Sequence, residues 1–363
     1  MDFTLKKIDL YIFKKFIFSF FIALLLIIGI VIIFDISEKI DDFVANEAPL
    51  KAIIFNYYVN FIPFFINMYS PMFVFITVIF FTSKMAANSE IIAILSGGIS
   101  YHRMMVPYMV ATVFIALLSL GLNLYVIPGA NATRLKFESR YVKNKSTAVR
   151  DVHYQIEPGT FVYVESFSTW NNTAYKFTLE NIEENRLVSK LTAETATWDS
   201  LKQGWHLKKC FIREFNEGLG DKVTTSSEMD TVINLTVSDF YRNKQTVQTL
   251  SQDQLDDLIE VQNMRGDANV MYAKIEKQTR FAMPFSAIVL TILGVCLSSR
   301  KRRGGIGWNI GLGIALAFSY ILFQTVSSSF AVSGAMSVEL AVWLPNIIYL
   351  PLCWYVYEKK APR

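Results

Sequence analysis

Six long apolar runs and one long polar stretch divide the chain. The runs are Phe16–Phe34, Ile53–Thr82, Met104–Ile127, Arg280–Ser298, Trp308–Phe330 and Leu340–Tyr357. A bilayer core about 30 Å thick takes roughly 20 apolar residues of helix, so each run predicts a membrane span. The second is longer than required and contains Pro63 and Pro71, which predicts a tilt or a kink. The polar stretch, about 130–277, changes period. Tyr175, Phe177 and Leu179 alternate with Lys176, Thr178 and Glu180, and Tyr154 and Ile156 alternate with His153, Gln155 and Glu157. That two-residue repeat predicts strands with one buried face. Thr160–Phe167, Leu191–Trp198, Trp205–Phe215 and Thr231–Val237 predict further strands, divided by turn signals at Pro158-Gly159, Asn171-Asn172, Glu184-Asn185, 200–204 and 218–221. Short strands at this spacing predict an antiparallel sandwich or jelly roll. Beyond them Ser251 and Gln254 make a capping box ahead of Leu255, Leu258 and Ile259, predicting a helix over about 252–265 that Gly266 ends. The expected fold is an α-helical membrane protein of six transmembrane helices, with an all-β jelly-roll insert. The expected division is 1–129 with three spans, 130–277 with the strands, and 278–363 with three more spans.

Composition agrees with that plan. Of 363 residues, 52% are hydrophobic and 14% aromatic, and the mean hydropathy is +0.33. This is too apolar for a soluble globule and too polar for a bare bundle of spans. The net charge of +4 is small, and the placement of the bases says more than their sum. Lys6, Lys7, Lys14 and Lys15 precede the first run, which would also suit a signal peptide. The run is long for one, however, and acids rather than small residues follow it, so an uncleaved first span is expected. With the N-terminus in the cytoplasm, the inside segments carry Lys6, Lys7, Lys14 and Lys15; Lys84 and Arg103; Arg300, Lys301, Arg302 and Arg303; and Lys359, Lys360 and Arg363. In the first outside loop Asp35, Glu38, Asp41, Asp42 and Glu47 outnumber Lys39 and Lys51. The bias predicts two cytoplasmic termini and an insert on the opposite side.

Little catalytic chemistry is visible. No Gly-Lys dipeptide occurs, so no P-loop is expected and any nucleotide hydrolysis must come from another chain. His102, His153 and His206 are scattered, and Cys210, Cys296 and Cys353 lie at no metal or redox spacing. Neither a catalytic site, a metal site, a cofactor nor a nucleic-acid partner is expected. Three stretches leave two readings each. In the cytoplasmic hairpin 83–102, Ser89 can cap a helix over about 86–97 that starts at Glu90, where the helix dipole favours an acid, and stops at Gly97-Gly98. Its Ile91, Ile92, Ile94 and Leu95 either pack on the chain's own spans or dock a cytoplasmic partner. The aromatic residues of the insert (among them Tyr154, Phe161, Phe167, Trp205 and Phe211) either fill a core or line two gaping sheets that hold an acyl chain. Gly307, Gly311 and Gly313, with Ser327-Ser328-Ser329 at the far end of span five, suit either close packing or a moving gate.

Four stretches taken together carry a resemblance. They are Asp9-Leu10-Tyr11-Ile12-Phe13-Lys14-Lys15-Phe16, Asn88-Ser89-Glu90-Ile91-Ile92-Ala93-Ile94-Leu95-Ser96-Gly97-Gly98, Gly159-Thr160-Phe161-Val162-Tyr163-Val164, and Tyr272-Ala273-Lys274-Ile275 ahead of Pro284. In this order they make the chain resemble the LptF/LptG (YjgP/YjgQ) permeases of the lipopolysaccharide export transporter. The resemblance implies a Gram-negative inner-membrane protein that pairs with a sister permease and sits on two LptB-type ATPase subunits, which bind the ATP. It implies that lipopolysaccharide is extracted from the membrane and passed through a periplasmic jelly roll to LptC- and LptA-type bridge proteins. On matching positions, the hairpin becomes an ATPase-coupling helix with Glu90 as its acidic anchor and Ile91, Ile94, Leu95 and Gly97 around it. Arg134, Lys136 and Arg140, with Lys39, become the cationic rim for lipid A phosphates. Cations at headgroup depth suit phosphate oxygens; the other reading is that they are interfacial anchors. The acids Asp35, Glu38, Asp41 and Asp42 around Lys39 depart from the basic span-one end of LptG-type subunits. Either the chain is the more LptF-like subunit, or its lipid has fewer phosphates, or divalent ions mediate. Two other classes are a non-transporting regulator similar to FtsX-like proteins, typically with four spans, and a membrane-anchored enzyme.

Overall fold

The computed structural model describes residues 7–142, 149–168, 171–215, 220–240, 244–267, 269–300 and 305–360. Lys6, Lys301, Arg302, Arg303 and Arg363 of the basic segments, and the start of the turn signal at 218–221, lie outside the described residues. The chain forms two compact units, Met1–Val142 with Lys274–Arg363, and Lys143–Ala273.

The first unit is helical. In chain order it holds α1 (Lys7–Ala45), α2 (Leu50–Ala52), a π-helical segment (Ile53–Tyr58), α3 (Val59–Ala87), α4 (Glu90–Ser96), α5 (Tyr101–Gly121), a second π-helical segment (Leu122–Val126) and α6 (Ile127–Tyr141). Among the described residues six helices are long and apolar enough to cross a membrane, one for each run read from the sequence. Three are far longer than a bilayer needs: Lys7–Ala45 has 39 residues, Leu50–Ala87 has 38 and Tyr101–Tyr141 has 41. At 1.5 Å per residue each reaches roughly 60 Å, about twice the hydrocarbon thickness. Pro63 removes the amide that would bond to the Val59 carbonyl, and the first π segment lies just ahead of it.

The apolar stripe Ile12, Phe16, Phe20 and Leu24 of α1, at spacings of four, packs into one core with Phe75, Val78, Ile79 and Phe81 of α3 and Tyr108 of α5. Several of the buried polar side chains there are paired within the unit. Thr112 and Thr291 hydroxyls lie 2.9 Å apart, and Asn309 donates to the Ser83 hydroxyl at 3.0 Å.

The second unit carries β1 (Val149–Glu157), β2 (Thr160–Ser168), β3 (Thr173–Glu183), β4 (Arg186–Asp199), β5 (Gly204–Glu214) and β6 (Lys222–Thr231). They form one antiparallel six-stranded sheet in chain order, so the described strands make a single meander in place of two facing sheets. At the first hairpin Gly159 has φ of +81° and an added Cβ would lie 2.5 Å from the Ile182 carbonyl oxygen, so only glycine fits. One face of the sheet is dry: Val162, Val164, Phe167, Ala174, Phe177, Trp205 and Leu207 are buried on it. The segment 231–237, expected as a strand, is instead the lid of that face. The true last strand is the polar, largely exposed Lys222–Thr231. Leu235 then enters the core, its carbonyl accepting from Trp205 Nε1 at 2.8 Å. Phe240 stacks on Phe167 at 4.2 Å. The chain's own residues therefore occupy the apolar face where an acyl chain was one alternative, while Phe161 and Phe211 are exposed.

Three helices follow, α7 (Val237–Phe240), α8 (Lys244–Val247) and α9 (Gln252–Met264). Both hydrogen bonds of the expected capping box are made at α9: Ser251 Oγ accepts from the Gln254 amide at 3.3 Å, and Gln254 Oε1 accepts from the Ser251 amide at 3.0 Å. Gly266, with φ of +63°, ends the helix as expected. The last elements are α10 (Val270–Ser298), α11 (Gly305–Val332) and α12 (Val338–Lys360). Of the three glycines singled out in span five, Gly313 alone makes a close approach, an added Cβ falling 2.3 Å from Ile79 Cδ1. Gly307 and Gly311 meet nothing within 4 Å, whereas Gly294 of α10, not singled out, sits against Val78 and Phe75.

Candidate functional site

The residues singled out for function fall at two places in the helical unit. The first is the hairpin around α4. Ser89 does not cap this helix: its φ of 61° is left-handed, and its side chain makes no capping hydrogen bond. A capping residue needs extended backbone to aim its oxygen at the first free amides. Gly98, with φ of +82°, follows the Gly97 end as expected. Ser100 takes the capping role at the next helix, its Oγ accepting from the Arg103 amide at 3.3 Å.

Glu90 turns toward α1. Its carboxylate accepts from the Tyr11 hydroxyl at 2.9 Å and the Asn88 amide at 3.3 Å, and the Lys15 ammonium lies 3.5 Å from both oxygens. Lys15 also donates to Tyr11 Oη at 2.5 Å. Burial alone would raise the Glu90 pKa, but the hydrogen bonds from Tyr11 and Asn88 and the Lys15 charge outweigh it and hold the carboxyl below the ordinary glutamate value. The helix period then sorts the remaining residues. Ile91 is 1% exposed, and Ile94 and Leu95 are half-buried against the same core. Ile92 is 60% exposed, and Ala93, Ser96 and Gly97 share its outward position. Adjacent isoleucines cannot share one helical face, so Ile92 was the residue to name as the outward contact.

The second place is the opposite end of spans one to three from α4, where Phe43, Tyr57 and Phe137 meet in one aromatic cluster. Lys39 is neutralised inside the protein. Its ammonium lies 2.9 Å from Asp35 and 3.6 Å from Glu138, and also donates to the Tyr57 hydroxyl. Asp35 further accepts from Tyr57 at 3.0 Å and Tyr58 at 3.1 Å. Arg134 stands in contrast. It is 7% exposed, its guanidinium lies 4.6 Å over the Phe64 ring, and its Nε has no hydrogen-bond partner among the described residues. Lys136 and Arg140, four apart on α6, share an exposed face that Arg134 does not; the Arg140 guanidinium lies over Tyr141 at 5.3 Å. The four bases are thus not one continuous rim: one is internally paired, one is buried, and two are exposed.

Among the described residues no group of His, Cys, Asp or Glu is placed to hold a metal ion. Cys210, Cys296 and Cys353 are free and buried. The helical unit thus carries an exposed isoleucine on the α4 hairpin and a buried cation near the opposite end of its long helices.

Comparison with curated proteins gives no match. The profile of the family described as "Lipopolysaccharide export system permease LptF/LptG" matches residues 10–359, nearly the whole chain. Six membrane-capable helices split three and three around a β insert, together with that match, place this chain in the LptF/LptG family of lipopolysaccharide export permeases.

Proposed function

We propose that this permease, paired with a sister chain in the inner membrane and seated on an ATPase dimer, extracts lipopolysaccharide laterally and hands it to a periplasmic bridge. Both termini and α4 face the cytoplasm, and ATP is bound and hydrolysed by the partner. The observation that carries the lipid-binding half is Arg134. Burying a guanidinium without a counter-ion is costly, and a cation–π contact with Phe64 offsets only about 0.5–2 kcal/mol of that. Arg134 lies seven residues, about 10 Å along the helix, beyond the apolar run's last residue Ile127. That is headgroup depth, where a phosphate on a glucosamine could complete its fork of donors. On this reading Lys136 and Arg140 attract the headgroup and Arg134 holds it. Lys39 orders the outer end of span one through Asp35 and Glu138 and reaches the lipid only if that network opens.

Photo-crosslinking to lipopolysaccharide tests the assignment. Arg134→Glu is expected to lower the yield well below that of Lys190→Glu, a charge reversal on the β unit. Equal yields would return Arg134 to a packing role. A non-transporting regulator would bind the ATPase yet release no lipid from proteoliposomes.

A further inference from the structure

The cytoplasmic end of α1 is fastened to the α4 hairpin at two points, through α1 and α5 residues to which the family resemblance gives no role. Before α4, Tyr11 and Lys15 hold Glu90, its first residue, at 2.9 Å and 3.5 Å. After α4, Arg103 near the start of α5 grips Asp9 with both nitrogens, at 2.8 Å and 2.5 Å. Asp9 is buried, so this is the charge-assisted, two-pronged pairing that outlasts an ordinary surface ion pair. On the α1 wheel Asp9 continues the buried stripe, within about 20° of Phe16, whereas Lys15 and Tyr11 lie about 60° and 100° to the side of Ile12. A helix held at two such different angles resists rotation as well as sliding. Further along, α1 is sparsely packed: Phe18, Leu25, Leu26, Ile33 and Phe34 are all exposed.

We infer that Asp9, Tyr11, Lys15 and Arg103 are positioning residues that make span one and the α4 hairpin move as one body, delivering displacement of α4 to span one. This rests on the permease reading, in which an ATPase pushes on α4. Interactions transmit coupling only through an element that both sites bias, and α1 is joined to α4 by these contacts as well as by packing.

The test uses the complex with its sister permease and ATPase, reconstituted in proteoliposomes containing lipopolysaccharide. Asp9→Arg and Arg103→Asp are each expected to keep the ATPase bound and hydrolysing, while lipid released per ATP falls by at least about fivefold, the low end of ordinary coupling. The Asp9→Arg/Arg103→Asp double variant, which restores the pair with reversed sign, is expected to recover most of that ratio. A single variant that assembles poorly but keeps the wild-type ratio would show a plain staple and overturn the inference. So would loss of ATPase binding in the single variants, or a double variant no better than either. If the wild-type complex hydrolyses ATP without releasing lipid, the proposed function fails instead. The latch is then read from a spin label at Phe18→Cys: ATP-driven movement lost in the single variants and regained in the double supports it, and movement unchanged in all three overturns it.

Discussion

At the scale of residues, charge is handled in opposite ways at the two ends of the helical unit. Glu90 is surrounded by donors, whereas Arg134 has an aromatic face and, among the described residues, no anion. Glu90→Lys would set a second ammonium beside Lys15, so it is expected to leave the protein inserted but to abolish lipid release per ATP; undiminished release would remove Glu90 from the coupling path. The titration of Glu90 has a definite sign. Its folded pKa lies below the ordinary value, so the stabilisation it gives the α4–α1 contact is complete above the unfolded pKa, about 4.3, and is lost as pH falls through the folded one. The carboxylate infrared band of Glu90 is therefore expected to persist to lower pH than that of a free glutamate peptide. Tyr11→Phe should bring the two titrations closer together. Neither network was legible in the sequence. The α1 partners of Glu90 lie 75 and 79 positions away, and Glu138 lies far along the chain from Lys39.

At the scale of elements, what the sequence made legible is what changes hydropathy or period. Six apolar runs become six helices, and strands with an alternating face appear where that face is buried. The misplaced last strand shows the converse. Lys222–Thr231 is an edge strand whose described apolar residues are only Val223 and Met229, too few for an alternation to read, whereas Ile233 and Leu235 alternate yet serve as a cover. The glycines of span five look equivalent by spacing, and only the packing of α11 on α3 distinguishes them. Gly313→Val is expected to destabilise the protein by about 1–3 kcal/mol through overpacking against Ile79, and Gly311→Val to be nearly neutral in the isolated chain. Thermal unfolding in detergent compares the two. If Gly311→Val is silent in that assay but breaks assembly with the sister permease, the outward face of α11 belongs to the subunit interface.

At the scale of the whole molecule, the three-plus-three plan with its β insert was legible because each unit obeys its own solvent. The runs satisfy a bilayer, and the insert satisfies water on one face and itself on the other. Orientation follows from the placement of lysine and arginine, so a reporter fused at residue 90 should read as cytoplasmic and one at residue 200 as the opposite side. A reversed result at residue 90 would break the docking role of α4. The candidate site residues came from the resemblance alone; their division into one buried, one paired and two exposed bases was not legible, because it depends on how α6 is turned. That turn follows from the wide segment Leu122–Val126 directly ahead of α6. A π turn holds one residue more than an α turn, so removing a single residue there would close it and rotate everything beyond by about 100°. Excising Asn123, harmless by hydropathy, would swing Arg134 off Phe64 and Phe137 out of its aromatic nest in one step, an effect no side-chain replacement at that site could imitate.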